Sequence, residues 1–204
     1  MVSIRFHGRG GQGVVTAAEL LALAAFHEGR YAQAFPSFGS ERTGAPVTAF
    51  CRVDDAPIRL REPILDPDVV AIQDPTLLHA VDVFQGLDRA GFVLVNTSRT
   101  LGELGLAEWA AARQPGRTVT VAATDIARRH LGRPLPNVAL LGALARLVGV
   151  VGFAAIEKAV RARFAPALAE ANLAAAAEGF AAVAANAVEA NAVAAREPTT
   201  EAPC

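Results

Sequence analysis

The hexapeptide Gly8-Arg9-Gly10-Gly11-Gln12-Gly13 joins an apolar run, Val2 to His7, to a segment in which Val15, Ala18, Leu21, Leu23 and Phe26 fall near a 3.6-residue period. Four glycines in six residues at such a junction restrict the fold severely. A strand ending there must turn sharply into a helix, and bare glycine backbone lets an anion approach the helix N-terminus. Gly29 closes the helical pattern, and Arg30 to Phe35 reads as a second strand. Strand, glycine turn, helix, strand is a βαβ opening, which predicts a parallel sheet with a right-handed crossover.

Val47 to Val53 is strongly strand-like, and Asp54-Asp55 turns it toward a hairpin partner at Ile58-Arg59-Leu60. Val69 to Ile72, Gly91 to Asn96 and Thr118 to Ala122 read as short buried strands. Helices are predicted over Pro75 to Phe84, around Trp109, and over Asp125 to Leu131, Asn137 to Val151 and Gly152 to Phe164. From Ala167 to Ala195 the chain is mostly alanine, with Leu168, Leu173, Phe180, Val183, Val188 and Val193 as its bulky apolar residues. That is a long, thin helix, which needs a neighbouring surface. The expected fold is α/β, Rossmann-like or flavodoxin-like: a mostly parallel sheet flanked by helices, with a long Ala-rich C-terminal helix. One domain is expected over residues 1–185, with 186–204 as a helix end and flexible tail.

Composition excludes several classes. A net charge of −1 gives no global field toward nucleic acid or a membrane surface. Apolar stretches are interrupted before 18 residues, so no transmembrane helix is expected, and no signal peptide precedes the first motif. A cytoplasmic location follows as an expectation. The chain has two cysteines, Cys51 and Cys204, whereas an iron–sulfur cluster needs four thiolates. Both read as inert thiols. His7 and His27 read as core or surface histidines, and Asp66, Asp68 and Asp74 as solvated loop carboxylates. Neither a catalytic acid–base set nor a metal site emerges.

The glycine turn therefore carries the chemistry. NAD sites place an acidic residue near the end of the second strand, but Arg30-Tyr31-Ala32-Gln33-Ala34-Phe35 has none, which disfavours NAD and leaves a phosphate. The candidate cradle is Gly8, Arg9, Gly10, Gly11, Gln12 and Gly13. Arg42 is the candidate anion contact in the following loop, with Ser37, Ser40 and Thr43 as neutral donors. The same loop reads equally as a surface for another subunit. Asn96 ends a buried strand where ligands of open sheets collect, or caps a turn or helix; Asn137 has the same two readings.

The turn in its full form, GRGGQGVVTAAELLA, followed by FPSFGSERTGAPVTAFCRV, resembles the gamma family of pyruvate and 2-oxoisovalerate ferredoxin oxidoreductases. DPDVVAIQD, GFVLVNTS, NVALLGALA and EANLAAAAEGF resemble later segments of that family, so the likeness spans about residues 3 to 182. It implies a subunit of an enzyme that converts a 2-oxoacid and coenzyme A to acyl-CoA and CO2, passing two electrons to ferredoxin or, through a flavoprotein, to NAD. It also implies alpha, beta and ferredoxin-like delta partner subunits, which hold thiamine diphosphate, Mg and 4Fe-4S clusters, while coenzyme A is shared with this chain. The implied substrate is pyruvate or a branched-chain or aryl 2-oxoacid such as phenylglyoxylate. Two other readings of the residues stay open: a stand-alone nucleotide- or phosphate-binding module, and a purely structural interface subunit.

Overall fold

The computed structural model describes residues 1–37 and 44–194, with side chains as far as 183. Six strands form one mixed sheet: β1 (Val2–Arg9), β2 (Tyr31–Pro36), β3 (Pro46–Asp54), β4 (Val69–Ile72), β5 (Phe92–Asn96) and β6 (Thr118–Val121). The helices are α1 (Val14–His27), α2 (Ala107–Ala111), α3 (Ala123–Leu131), α4 (Asn137–Val148), α5 (Phe153–Arg163) and α6 (Pro166–Ala194), with a 3-10 turn at Pro75–His79. The order across the sheet is β2-β3-β1-β4-β5-β6. β1, β4, β5 and β6 pair in parallel, as expected of an α/β fold.

The opening unit departs from expectation. β1 and β2 are not neighbours: β3 lies between them and pairs antiparallel with both. In its register with β1, Ile4 faces Cys51 and Gly8 faces Val47. Alternation explains why β3 takes the inner place. Its Ala49, Cys51 and Val53 are fully buried under α1, whereas the residues of β2 are at best half-buried, which suits an edge. Cys51 is an inert thiol, its pKa pushed up to about 12 by burial.

Two further expectations fail. Residues 58–60 form no strand, and the helix begun at Pro75 stops at His79 rather than reaching Phe84. Buried arginines of the sheet claim the backbone carbonyls on this side. Arg5 donates from Nη1 to the Ile64 and Leu65 oxygens (3.3 and 3.2 Å), and from Nη2 to those of Val83 and Gln85 (3.1 and 2.5 Å). Arg52 Nη2 donates to the Glu62 oxygen at 2.8 Å. These segments cover one face of β1 and β3, while Leu77, Val83 and Leu104 close a small apolar cluster over β4 and β5.

The main core lies on the opposite face, where α1, α4 and α6 meet the sheet. The alanines of α6 find their surface in α4. Gly142 and Gly179 let the two backbones touch, since a Cβ on Gly142 would overlap the Ala176 carbonyl and one on Gly179 the Ala139 carbonyl. Arg129 and His130 of α3 both reach Glu178 of α6, the imidazole at 2.7 Å. Among the described residues no helix is long and apolar enough to cross a membrane.

His7 shares the buried face of β1 with Arg5, whose Nε–H donates to His7 Nε2 at 3.0 Å. Burial, then the Arg5 charge, push its pKa down to about 4 from 6.5. Between those two values the unfolded chain binds a proton that the folded chain refuses. Stability is therefore complete above about pH 6.5 and falls as the pH drops toward 4, by roughly 3 kcal/mol. Urea unfolding of wild type and His7→Gln, whose Oε1 reaches the position of Nε2 as an acceptor for Arg5 but does not protonate, is expected to show a flatter profile for the variant across that window. Parallel profiles would remove His7 as the cause.

Candidate functional site

β1 delivers the glycine turn to the carboxyl edge of the parallel strands, where ligands of open α/β sheets collect. Gly11 and Gly13 have φ of 94° and 72°, which side-chain-bearing residues rarely adopt. Gly8 is required by space, since a Cβ there would lie 2.6 Å from Val14 Cγ2. Gly13 is the N-cap of α1, which has no side-chain cap. Among the described residues the N–H groups of Gly11, Gly13, Val14 and Val15 have no acceptor, as the first turn of a helix leaves its donors without intrahelical partners.

The other residues of the predicted cradle have internal duties. Gly10 N donates to the Ala45 oxygen at 3.0 Å and Gly10 O accepts from Gly44 N at 3.3 Å, which staples the turn to the start of β3. Gln12 bridges the turn: its Oε1 accepts from Arg9 N at 2.8 Å and its Nε2 donates to Asp74 Oδ2 at 2.9 Å. Arg9 pairs with Asp74 at 3.2 Å and donates to Thr76 Oγ1 at 2.8 Å and to the Gly44 oxygen at 3.0 Å. Burial opposes the charge on Asp74, but hydrogen bonds from Thr76 and Gln12 and the Arg9 guanidinium together hold its pKa below the usual carboxylate range. Arg9 and Gln12 thus brace the turn, leaving the backbone as its open donor set.

Asn96 lies at the same edge. Its Nδ2 donates to the Gln73 oxygen and to Thr124 Oγ1, both at 2.7 Å, and its Oδ1 accepts from Thr124 N at 3.0 Å. It therefore caps α3 from a neighbouring strand. Asn137 is the first residue of α4, not its N-cap, and its Nδ2 donates to the Gly13 oxygen at 3.4 Å. Ser40, Arg42 and Thr43 lie outside the described residues.

Sequence reasoning missed the brace formed by Asp74 and Thr76 and the burial of Gln73. The run Asp74-Pro75-Thr76 carries a signal for the first, because Asp before Pro caps a helical turn, and Asp74 Oδ1 accepts from Thr76 N at 3.0 Å. The missing acid at the end of β2 loses its diagnostic weight, because β3 occupies the place beside β1 that the NAD rule assigns to β2.

Comparison with known proteins adds identity to this geometry. A profile described as Pyruvate ferredoxin/flavodoxin oxidoreductase matches residues 3–182. The chain is 52% identical over 180 residues to the "Pyruvate/ketoisovalerate oxidoreductases common subunit gamma" of Thermococcus kodakarensis, covering 88% of this chain and 96% of that one. It is 48% identical over 176 residues to the "Pyruvate synthase subunit PorC" of Methanocaldococcus jannaschii, covering 86% and 93% of the two. Among solved structures it resembles the pyruvate oxidoreductase subunit PORC of Thermotoga maritima, with a TM-score of 0.75 and 39% identity over 89% of this chain and 96% of that one.

Proposed function

The chain belongs to the pyruvate ferredoxin/flavodoxin oxidoreductase family, among its gamma subunits, and we propose that it serves a cytoplasmic thiamine-diphosphate-dependent 2-oxoacid oxidoreductase by holding coenzyme A. The overall reaction is 2-oxoacid plus coenzyme A to acyl-CoA, CO2, a proton and two electrons, which pass to a ferredoxin-type acceptor. The observation that supports the coenzyme A role is the uncapped N-terminus of α1 behind its braced glycine turn. N–H groups without an acceptor among the described residues and the positive end of a helix suit a phosphate, which coenzyme A carries. Arg42, Ser40 and Thr43 of the adjoining loop are proposed as further contacts.

The remaining chemistry is assigned to alpha, beta and ferredoxin-like delta subunits. Two cysteines, of which Cys51 is buried with a raised pKa, do not fit a 4Fe-4S cluster. Among the described residues no three metal-ligating side chains cluster to hold the Mg of thiamine diphosphate. What this chain supplies is placement: a phosphate fixed at the sheet edge orients the rest of the coenzyme toward its reaction partner. The 2-oxoacid pocket belongs elsewhere in the complex. The Thermococcus relative is named as common to pyruvate and ketoisovalerate oxidoreductases, and a shared subunit suits a shared coenzyme rather than a distinguishing pocket. Pyruvate and branched-chain 2-oxoacids are accordingly the proposed substrates.

The test is reconstitution. The chain alone is expected to show no pyruvate oxidation, and to co-purify with thiamine- and cluster-bearing subunits when expressed together. In the assembled enzyme Gly13→Ala strains a left-handed position and puts a Cβ 2.5 Å from Asn137 Nδ2. It is expected to raise the KM for coenzyme A about tenfold, the worth of one hydrogen bond, without moving the KM for pyruvate. An unchanged KM for coenzyme A would reject the assignment.

A further inference from the structure

Two helix N-termini meet at the carboxyl edge of the sheet, and neither has a side-chain cap among the described residues. α1 starts behind left-handed Gly13, and α4 starts behind Pro136. They are in contact, because Asn137 Nδ2 lies against the backbone of Gly13. By contrast, the N-terminus of α3 is closed by Asn96. Two positive helix ends thus face one region with donors that no described residue takes up.

An independent observation falls at the same place. Gln73 follows β4 and is 1% exposed, yet among the described residues neither its side-chain nitrogen nor its oxygen has a hydrogen-bond partner. Its backbone is satisfied, with N–H donating to the His7 oxygen and C=O accepting from Asn96. Along β4, Val69 and Ala71 point to the side of α1 and α4, and alternation sends Gln73 the same way. Its Cβ lies 3.2 Å from where a Gly8 Cβ would stand, so the side chain leaves the sheet beneath the turn. An enclosed amide with no partner destabilises the fold, and an apolar side chain of the same length would avoid that penalty.

We propose that Gln73 and the N-termini of α1 and α4 form one ligand subsite. The helix ends take a phosphate, and the Gln73 amide takes the neutral donor–acceptor group beside it in the same ligand. This rests on the reading that the turn holds coenzyme A, and adds the residue that recognises a neutral part of that molecule. Coenzyme A presents the required chemistry twice, in the amides of its pantetheine arm and in the edge of its adenine. Gln12 Oε1 lies 3.0 Å from the same Gly8 position, so the brace of the turn adjoins the subsite.

Titration calorimetry of the full chain with coenzyme A, 4′-phosphopantetheine and adenosine 3′,5′-bisphosphate, together with thermal melting, tests this. Gln73→Met is expected to weaken coenzyme A about tenfold and to leave the melting midpoint unchanged or higher. The half-molecule that shares the loss identifies the group bound by the amide. Gln73→Glu, which sets a carboxylate beside the phosphate, is expected to weaken binding further. No coenzyme A binding by the wild type would overturn both the functional reading and the subsite. Binding by the wild type and equal binding by Gln73→Met would overturn the subsite alone. A lower midpoint for Gln73→Met would mean that the amide is bonded within the protein, and would also overturn it.

Discussion

Gly142→Val is expected to lower the melting midpoint by about 10 °C. A Cβ at 142 meets the Ala176 carbonyl of α6, which is backbone and does not rotate aside. The helices must separate, and separation opens gaps along an interface built from alanines such as Ala139, Ala143, Ala175 and Ala176, whose short side chains pack only at close approach. Overpacking of this kind costs about 3 kcal/mol, and a chain of this length loses roughly 2–4 °C for each. Differential scanning calorimetry should separate it from Gly102→Val, where the nearest atom to a new Cβ is Thr100 Oγ1 at 3.9 Å. Equal shifts for the two variants would contradict close backbone contact between α4 and α6.

Arg5→Met is expected to cost on the order of 3–5 kcal/mol. The substitution keeps apolar bulk but removes the donor from five acceptors: His7 Nε2 and the backbone oxygens of Ile64, Leu65, Val83 and Gln85. Those oxygens lie in two segments with little regular hydrogen bonding of their own, so both lose their anchor to the sheet. Trp109, the only tryptophan, reports the change, because it stacks on Phe84 at 4.1 Å in the second of those segments. Its emission should shift under conditions where circular dichroism is still native-like. Arg5→Lys is expected to recover little, since an ammonium lacks the planar fork that spans two loops. A free energy of unfolding within 1 kcal/mol of wild type for Arg5→Met would refute the anchor.

Local pattern was a good guide to the elements and a poor one to their neighbours. The runs at 69–72 and 92–96, the start of α4 at Asn137 and the long alanine helix all stand where periodicity places them. The place of β3 between β1 and β2 did not follow from spacing. Both orders keep α1 over an apolar face, and only the partial exposure of β2 against the full burial of Ala49, Cys51 and Val53 distinguishes them. The apparent strand at 58–60 has a suitable composition, but Arg5 and Arg52, distant in sequence, claim the carbonyls beyond it. In the site, the glycine spacing announced the turn, whereas the engagement of Arg9 and Gln12 depends on Asp74, 62 positions beyond Gln12. Gln73 was visible as a polar residue closing an apolar run, but nothing local reveals that its amide is enclosed.

The interposed β3 has a consequence for how the molecule holds together. The sheet divides into an antiparallel portion, β2 and β3, and a parallel portion, β4 to β6, and β1 alone is hydrogen-bonded to both. β1 is therefore a seam. At its carboxyl end the chain emerges as the glycine turn, so the turn leaves the one strand on which both portions of the sheet pair.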